Sequence, residues 1–218
     1  MLQAVIFDMD GLMVDSEPFW QQAQLEIFPL YNVSITHQDT INTTGVRIDN
    51  IVEGYYAKQP WTGATQAQVC SQISARVIEL IELNKPAMPG LKPLIQRLKT
   101  LDIKLAVASS SPMDLIEATL NALEITHQFD AVLSAQTLVY GKPHPEVYLN
   151  TAHALKVCPT KCLALEDSLT GLLAAKAARM KTIVIPETSQ LERPQWSIAD
   201  YKLASLNQVT LDMLSNCA

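Results

Sequence analysis

The stretch QAVIFDMDG, residues 3–11, runs from an apolar segment into two carboxylates and a glycine. Residues 3–8 form a short apolar run that closes on a carboxylate, the pattern of a strand buried in a sheet. Asp8 ends the strand and Asp10 lies two residues on, so both acids can face one crevice at the strand's carboxyl end. Gly11 permits the tight backbone turn that such a close pair needs. Hard oxygen donors at this spacing suit Mg2+, which binds one or two carboxylates together with substrate phosphate.

A strand of this kind cannot stand alone, and the chain supplies partners only after Pro89-Gly90. From there, helix and strand alternate: a helix over 92–101, a strand over 103–108, a helix from Ser111-Pro112, and a strand over 130–133. A helix over 144–156, strand 162–166, helix 169–179 and strand 181–185 follow. Ser111 is expected as the helix N-cap, with Pro112 in the first turn. The segment 187–201 looks like a loop, and a short strand and helix end the chain. Between Ser16 and Pro86 the pattern is helical instead, over 17–30, 47–59 and 65–84. Val69, Ile73, Val77, Leu80, Ile81 and Leu83 mark apolar positions at helical spacing. The expectation is an α/β fold, a Rossmann-like parallel sheet core formed by residues 1–15 and 87–218, with a helical cap domain inserted at 16–86. Two lobes meeting over the strand ends would make a cleft, the usual place for a ligand in open α/β sheets.

Composition narrows the function. The chain has 218 residues, 48% of them apolar, which excludes a disordered or fibrous protein. No apolar run approaches the roughly 18 residues needed to cross a bilayer, and MLQAVIFDMDG lacks the basic start of a secretory signal. A cytoplasmic protein is expected, and nothing demands more than a monomer. Net charge is −6. Asp8, Asp10, Asp15, Glu17, Glu26 and Asp39 lie in residues 1–46, which hold no Lys or Arg. An acidic chain without a basic stripe argues against nucleic acid or an anionic membrane as partner. Cys70, Cys158, Cys162 and Cys217 have no zinc-binding spacing and read as reduced thiols. His37, His127, His144 and His153 read as structural or surface residues.

Further strand ends carry polar chemistry. Strand 103–108 runs into Ser109-Ser110-Ser111, where the Ser109 hydroxyl could bond a phosphoryl oxygen. Lys142 lies between Gly141 and Pro143 in a loop before a helix. Strand 162–166 ends in Glu166-Asp167-Ser168, with Gly171 beyond. Singly, each has an ordinary reading as a cap or a solvated charge. Together they fall on one side of one sheet.

In order and spacing, Asp8-x-Asp10-Gly11, Ser109, Lys142-Pro143 and Glu166-Asp167-Ser168 resemble the four motifs of the haloacid-dehalogenase-like superfamily. FDMDGLMVDSEP, TTGVRID, YGKPHPEVYL and ALEDSLTG are similar to its β-phosphoglucomutase-like branch and, within that, to bacterial hexitol and 2-deoxyglucose-6-phosphate phosphatases. Ala178-Arg179-Met180 departs from the pattern, since many members have Ala-Gly-Met there. The resemblance implies a Mg2+-dependent phosphatase acting on a small phosphorylated metabolite, a hexose or hexitol phosphate. It implies Asp8 as nucleophile forming an aspartyl-phosphate, Asp10 as acid and base, and Lys142 and Ser109 as stabilisers of the phosphoryl group. Mg2+ would be held by the Asp8 side chain, the Asp10 carbonyl and Asp167, with Glu166 in support. The implied substrate-binding set is Asp8, Met9, Asp10, Ser109, Ser110 and Lys142. Arg47, the first basic residue after an acidic stretch, is a candidate substrate contact from the cap.

Other chemistries on this fold are disfavoured by particular residues. A dehalogenase of the family typically has an aromatic residue where this chain has Asp10. A phosphonatase would carry a Schiff-base lysine early in the cap, and no lysine precedes Lys58. A β-phosphoglucomutase-like mutase shares all four motifs and is the alternative. Mutases of the branch generally have a histidine shortly after the first motif, where this chain reads Glu17-Pro18-Phe19-Trp20. Trp20 and Trp61 could pack in a core or against a sugar ring.

Overall fold

The computed structural model describes residues 1–216; Cys217, read above as a thiol, lies outside them. The chain opens with β1 (Ala4–Phe7) and then enters a run of helices: α1 (Glu17–Ile27), α2 (His37–Asn42), α3 (Ile48–Lys58) and α4 (Gln66–Asn84). The alternating part follows as α5 (Leu91–Thr100), β2 (Lys104–Ser109), α6 (Met113–Ala122), β3 (Ala131–Ser134) and α7 (Glu146–Leu155). It ends with β4 (Cys162–Glu166), α8 (Leu169–Ala177), β5 (Lys181–Val184), β6 (Tyr201–Lys202) and α9 (Leu211–Asn216). Two compact units result, one of Met1–Asp15 with Ala87–Ala218 and one of Ser16–Pro86.

The first unit is built on one six-stranded parallel sheet in the order β3-β2-β1-β4-β5-β6. All four residues of β1 are buried, which the continuous apolar run over Ala4–Phe7 requires of a strand covered on both faces. Ala4 and Ile6 lie in one core with Ala106, Ala108 and Ala164 of the flanking strands. Those small side chains let α7 settle closely through Val147, Tyr148, Ala152 and Leu155, a spacing that follows the helical period. β1 is also the point at which strand order reverses, since β2 and β3 extend the sheet one way and β4 to β6 the other. Ligands in open α/β sheets bind beyond the strand ends at such a reversal. Across the sheet, Phe7 pairs in register with both Val107 and Leu165, so the residues just past these strand ends fall at one level.

Two elements differ from the sequence reading. α6 begins after Pro112, whose extended backbone (φ −56°, ψ 148°) makes it the N-cap. Ser111, expected there, is thereby freed for a different partner. Residues 187–201 contain two 3-10 turns, Thr188–Gln190 and Pro194–Ile198, the second burying Trp196.

The second unit packs α1 and α3 on α4, whose apolar face buries Val69, Ile73, Val77, Leu80 and Ile81. Leu83, expected with them, lies off that face near the end of the helix and is exposed. A reciprocal capping box of Thr65 and Gln68 starts α4, and another of Thr36 and Asp39 starts α2. Trp61 is a core residue, edge-on to Tyr56 at 4.7 Å and close to Phe28 and Tyr31. Trp20 is half-buried. Among the described residues, no helix is long and apolar enough to cross a membrane.

Candidate active site

Four chain segments converge beyond β1, β2 and β4. Asp8 follows β1 directly, anchored by its backbone N–H to the Leu165 carbonyl at 3.0 Å. Residues 9–14 turn back at once, with Gly11 at φ +75° donating to Val14. The turn presses Gly11 against the next acid. A Cβ at Gly11 would stand 2.1 Å from Asp167 Oδ2, so only glycine leaves that carboxylate its place. Glu166, the last residue of β4, is fully buried.

Lys142 joins these acids from the loop before α7. Its Nζ donates to Asp8 Oδ1 at 2.5 Å, to Glu166 Oε1 at 2.6 Å and to the Ala108 carbonyl at 2.9 Å. Only 4% of the Lys142 side chain is exposed, so little water screens these charges. Burial pushes the Asp8 carboxyl up to about 8; Lys142 pulls it down, and Glu166 and Asp10 add to the rise. Burial alone would lower the Lys142 ammonium, but Asp8 and Glu166 outweigh it and hold the group above the usual lysine range. Both carboxylates therefore favour the charged form of the lysine.

Asp8, Glu166 and Asp167 offer carboxylate oxygens that all lie within 4.8 Å of one another. Lys142 is paired with two of these carboxylates, Asp8 and Glu166, and Asp167 adds a third negative group to the cluster. Such a donor set fits a hard divalent cation, which would offset the excess negative charge. Asp10 stands apart from this trio. Its Oδ2 accepts from the Ser111 hydroxyl at 2.6 Å.

β2 contributes Ser109, buried, whose Oγ accepts the Ser111 N–H at 3.0 Å. A hydroxyl that accepts in this way keeps its own O–H available as a donor. Ser110 is half-buried beside it, and Met9 is fully buried. Ser134 secures the same loop by donating to the Ser111 carbonyl at 2.5 Å. The structure thus brings together Asp8, Asp10, Lys142, Glu166, Asp167 and the Ser109 loop. Arg47 belongs to the other unit, at the start of α3, where it pairs with Asp49 at 2.6 Å.

Two further residues take part. The sequence pattern predicts Ser111 as a helix cap, whereas its hydroxyl serves Asp10. Tyr148 donates from its hydroxyl to Glu166 Oε1, and its ring lies 5.0 Å from Lys142 Nζ. Its phenol is pushed well above the ordinary tyrosine range, first by burial and then by the Glu166 charge. YGKPHPEVYL gave one signal for it, an aromatic residue in the first turn of a helix that follows the loop lysine.

The class is that of an α/β enzyme with a charged centre at the switch point of a parallel sheet. Residues 5–185 match the model of the haloacid dehalogenase-like hydrolases, and the chain belongs to that family. Hexitol phosphatase B of Escherichia coli (strain K12) is 42% identical over 95% of this chain and 94% of its own length. β-Phosphoglucomutase of Bacillus subtilis is 27% identical over 98% of this chain and 94% of its own. Among solved structures, CbbY from Rhodobacter sphaeroides in complex with phosphate superposes with a TM-score of 0.89 at 27% identity, covering 99% of this chain and all of that one.

Proposed function

We propose that the protein is a Mg2+-dependent phosphatase of hexitol or hexose phosphates that works through an aspartyl-phosphate on Asp8. The observation that carries this reading is the buried contact of Lys142 Nζ with Asp8 Oδ1 at 2.5 Å, beside two further carboxylates. In the first step an Asp8 oxygen attacks phosphorus and the bond from phosphorus to the sugar oxygen breaks. Asp10 gives its proton to the departing alkoxide. In the second step Asp10 takes a proton from water, the water oxygen attacks phosphorus, and the bond to Asp8 breaks to release inorganic phosphate. Lys142 and the Ser109 hydroxyl, with the Ser110 N–H, hold the phosphoryl oxygens as charge develops on them.

Asp8, the Asp10 carbonyl and Asp167, with Glu166 in support, would hold the Mg2+. The cation supplies charge that lets a carboxylate approach an anionic phosphate. Ser111 keeps the Asp10 carboxyl aimed by the hydrogen bond to Oδ2. Arg47 is proposed as a contact to bound substrate. The substrate class is supported by the 42% identity to hexitol phosphatase B over nearly the full length of both chains.

Release of inorganic phosphate from a panel of 6-phosphorylated hexitols and hexoses and a nucleoside monophosphate tests this. The hexitol or hexose phosphate is expected to show the higher kcat/KM, with activity lost in EDTA and restored by Mg2+. Arg47→Ala should lower kcat/KM on the preferred substrate. A higher kcat/KM on the nucleotide contradicts the substrate class, and full activity after exhaustive chelation contradicts the metal. Conversion of one sugar phosphate to its isomer without free phosphate would favour a mutase instead.

A further inference from the structure

Tyr148 is a buried titratable group for which the phosphatase chemistry leaves no task. It sits in the first turn of α7 with no exposed surface. Its hydroxyl donates to Glu166 Oε1, the same oxygen that accepts from Lys142 Nζ at 2.6 Å. An ammonium has three N–H donors, and those of Lys142 go to Asp8, the Ala108 carbonyl and Glu166. A phosphoryl oxygen can be gripped only if one of these partners is given up.

Glu166 is the costly partner to abandon, because a fully buried carboxylate stripped of its donor bears the whole desolvation penalty. Tyr148 changes that balance, since a second donor already sits on Oε1. One other contact holds the carboxylate: Glu166 Oε2 accepts from Ser168 Oγ at 3.2 Å. Gly171, where a Cβ would stand 1.9 Å from Oε1, leaves it the room it occupies. The aromatic face of Tyr148 meanwhile remains a favourable surface for the cation as it swings. We propose that Tyr148 is a positioning residue for Lys142, whose hydroxyl keeps Glu166 Oε1 hydrogen-bonded while the ammonium turns to a phosphoryl group. The proposal rests on the reading that this centre binds phosphate.

Calorimetric titration of inorganic phosphate into the Mg2+-supplemented enzyme tests it in the wild type, Tyr148→Phe, Glu166→Gln and the double variant. Phe keeps the ring and its packing, so the variant should fold, its melting temperature lowered by no more than one lost hydrogen bond, while phosphate binding weakens about tenfold for want of the hydroxyl. In the Glu166→Gln background a neutral amide no longer restrains the ammonium, and adding Tyr148→Phe should shift the affinity by less than about twofold. Phosphate binding by Tyr148→Phe equal to that of the wild type overturns the proposal. So does a tenfold loss that persists undiminished beside Glu166→Gln, which marks a packing defect. Wild-type enzyme that binds no phosphate overturns the phosphate-site reading, and this inference falls with it.

Discussion

Glycine in the first turns of a helix is usually a weakness, and replacing it with alanine usually strengthens the helix by up to about 1 kcal/mol. At Gly171 of α8 the sign should reverse. A methyl group there would meet both Glu166 oxygens and the carbon between them at about 2 Å, and the buried carboxylate has no open side to move to. Gly171→Ala is expected to cost about 1–3 kcal/mol, as overpacking does, and to lower kcat as Glu166 is pushed from Lys142. Thermal melts and initial rates check it, and a variant more stable than wild type with full kcat would contradict this reading of the glycine. Residue-scale chemistry was only partly legible in the sequence. Asp8, Lys142, Glu166 and Asp167 stand where strand ends and turn residues announce them. Ser111 did not: a serine before proline looks like a helix cap, and only the extended backbone of Pro112 releases its hydroxyl to Asp10. Tyr148 was hidden for another reason. An aromatic residue in an amphipathic helix reads as core, and nothing local reveals that its hydroxyl reaches a carboxylate on β4.

Elements were easier to read where the apolar pattern is long, and harder where it is short. β1 and its parallel partners are apolar runs closed by polar residues, and α4 is long and periodic, so both were plain. α2, with six residues, shows too little of a period, though Thr36 and Asp39 spell a capping box. The turn after α8 holds a cost. Arg179 adopts φ +64° there, the left-handed region that suits glycine at a helix end. Arg179→Gly should therefore stabilise the fold by about 0.5–1 kcal/mol, read as a raised denaturation midpoint; a lowered midpoint would show that the arginine side chain contributes more than its backbone costs. At the other end of the sheet, Asp200 ties α8 to β5, accepting from Lys176 Nζ at 2.9 Å, Lys181 Nζ at 3.1 Å and both donors of Thr182. Burial would raise its carboxyl, but these hydrogen bonds outweigh that and lower it from 3.8 to about 2. A depressed carboxyl adds stability above its unfolded value and loses it as pH falls through the folded one. Asp200→Asn is expected to remove about 1 kcal/mol at neutral pH, with solvent screening of the partly exposed network counted. The gap to wild type should close as pH drops from about 4 toward 2. Melts across that range decide it, and a gap that widens in acid would contradict the assignment.

In the whole molecule, one short strand carries both the architecture and the chemistry. β1 supplies the centre of the sheet, the point where strand order reverses, and the carboxylate at its end. The chain then leaves for the helical unit and returns at Ala87, where an antiparallel bridge to Val14 closes the excursion. An insertion whose ends meet in this way leaves the sheet's register undisturbed. The parallel sheet was therefore legible from alternation alone, whereas substrate choice depends on side-chain placement that no periodicity encodes. In the proposed reaction Asp8 takes the phosphoryl group. Rapid acid quench during turnover of a hexitol 6-phosphate labelled at phosphorus, followed by peptide mapping, tests it most directly. Label is expected on the peptide holding Asp8 and none in Asp8→Asn, whose turnover should fall by several orders of magnitude, as such losses do. Phosphate released at full rate with no label on the protein, or an Asp8→Asn variant that keeps a substantial share of the wild-type rate, would contradict it.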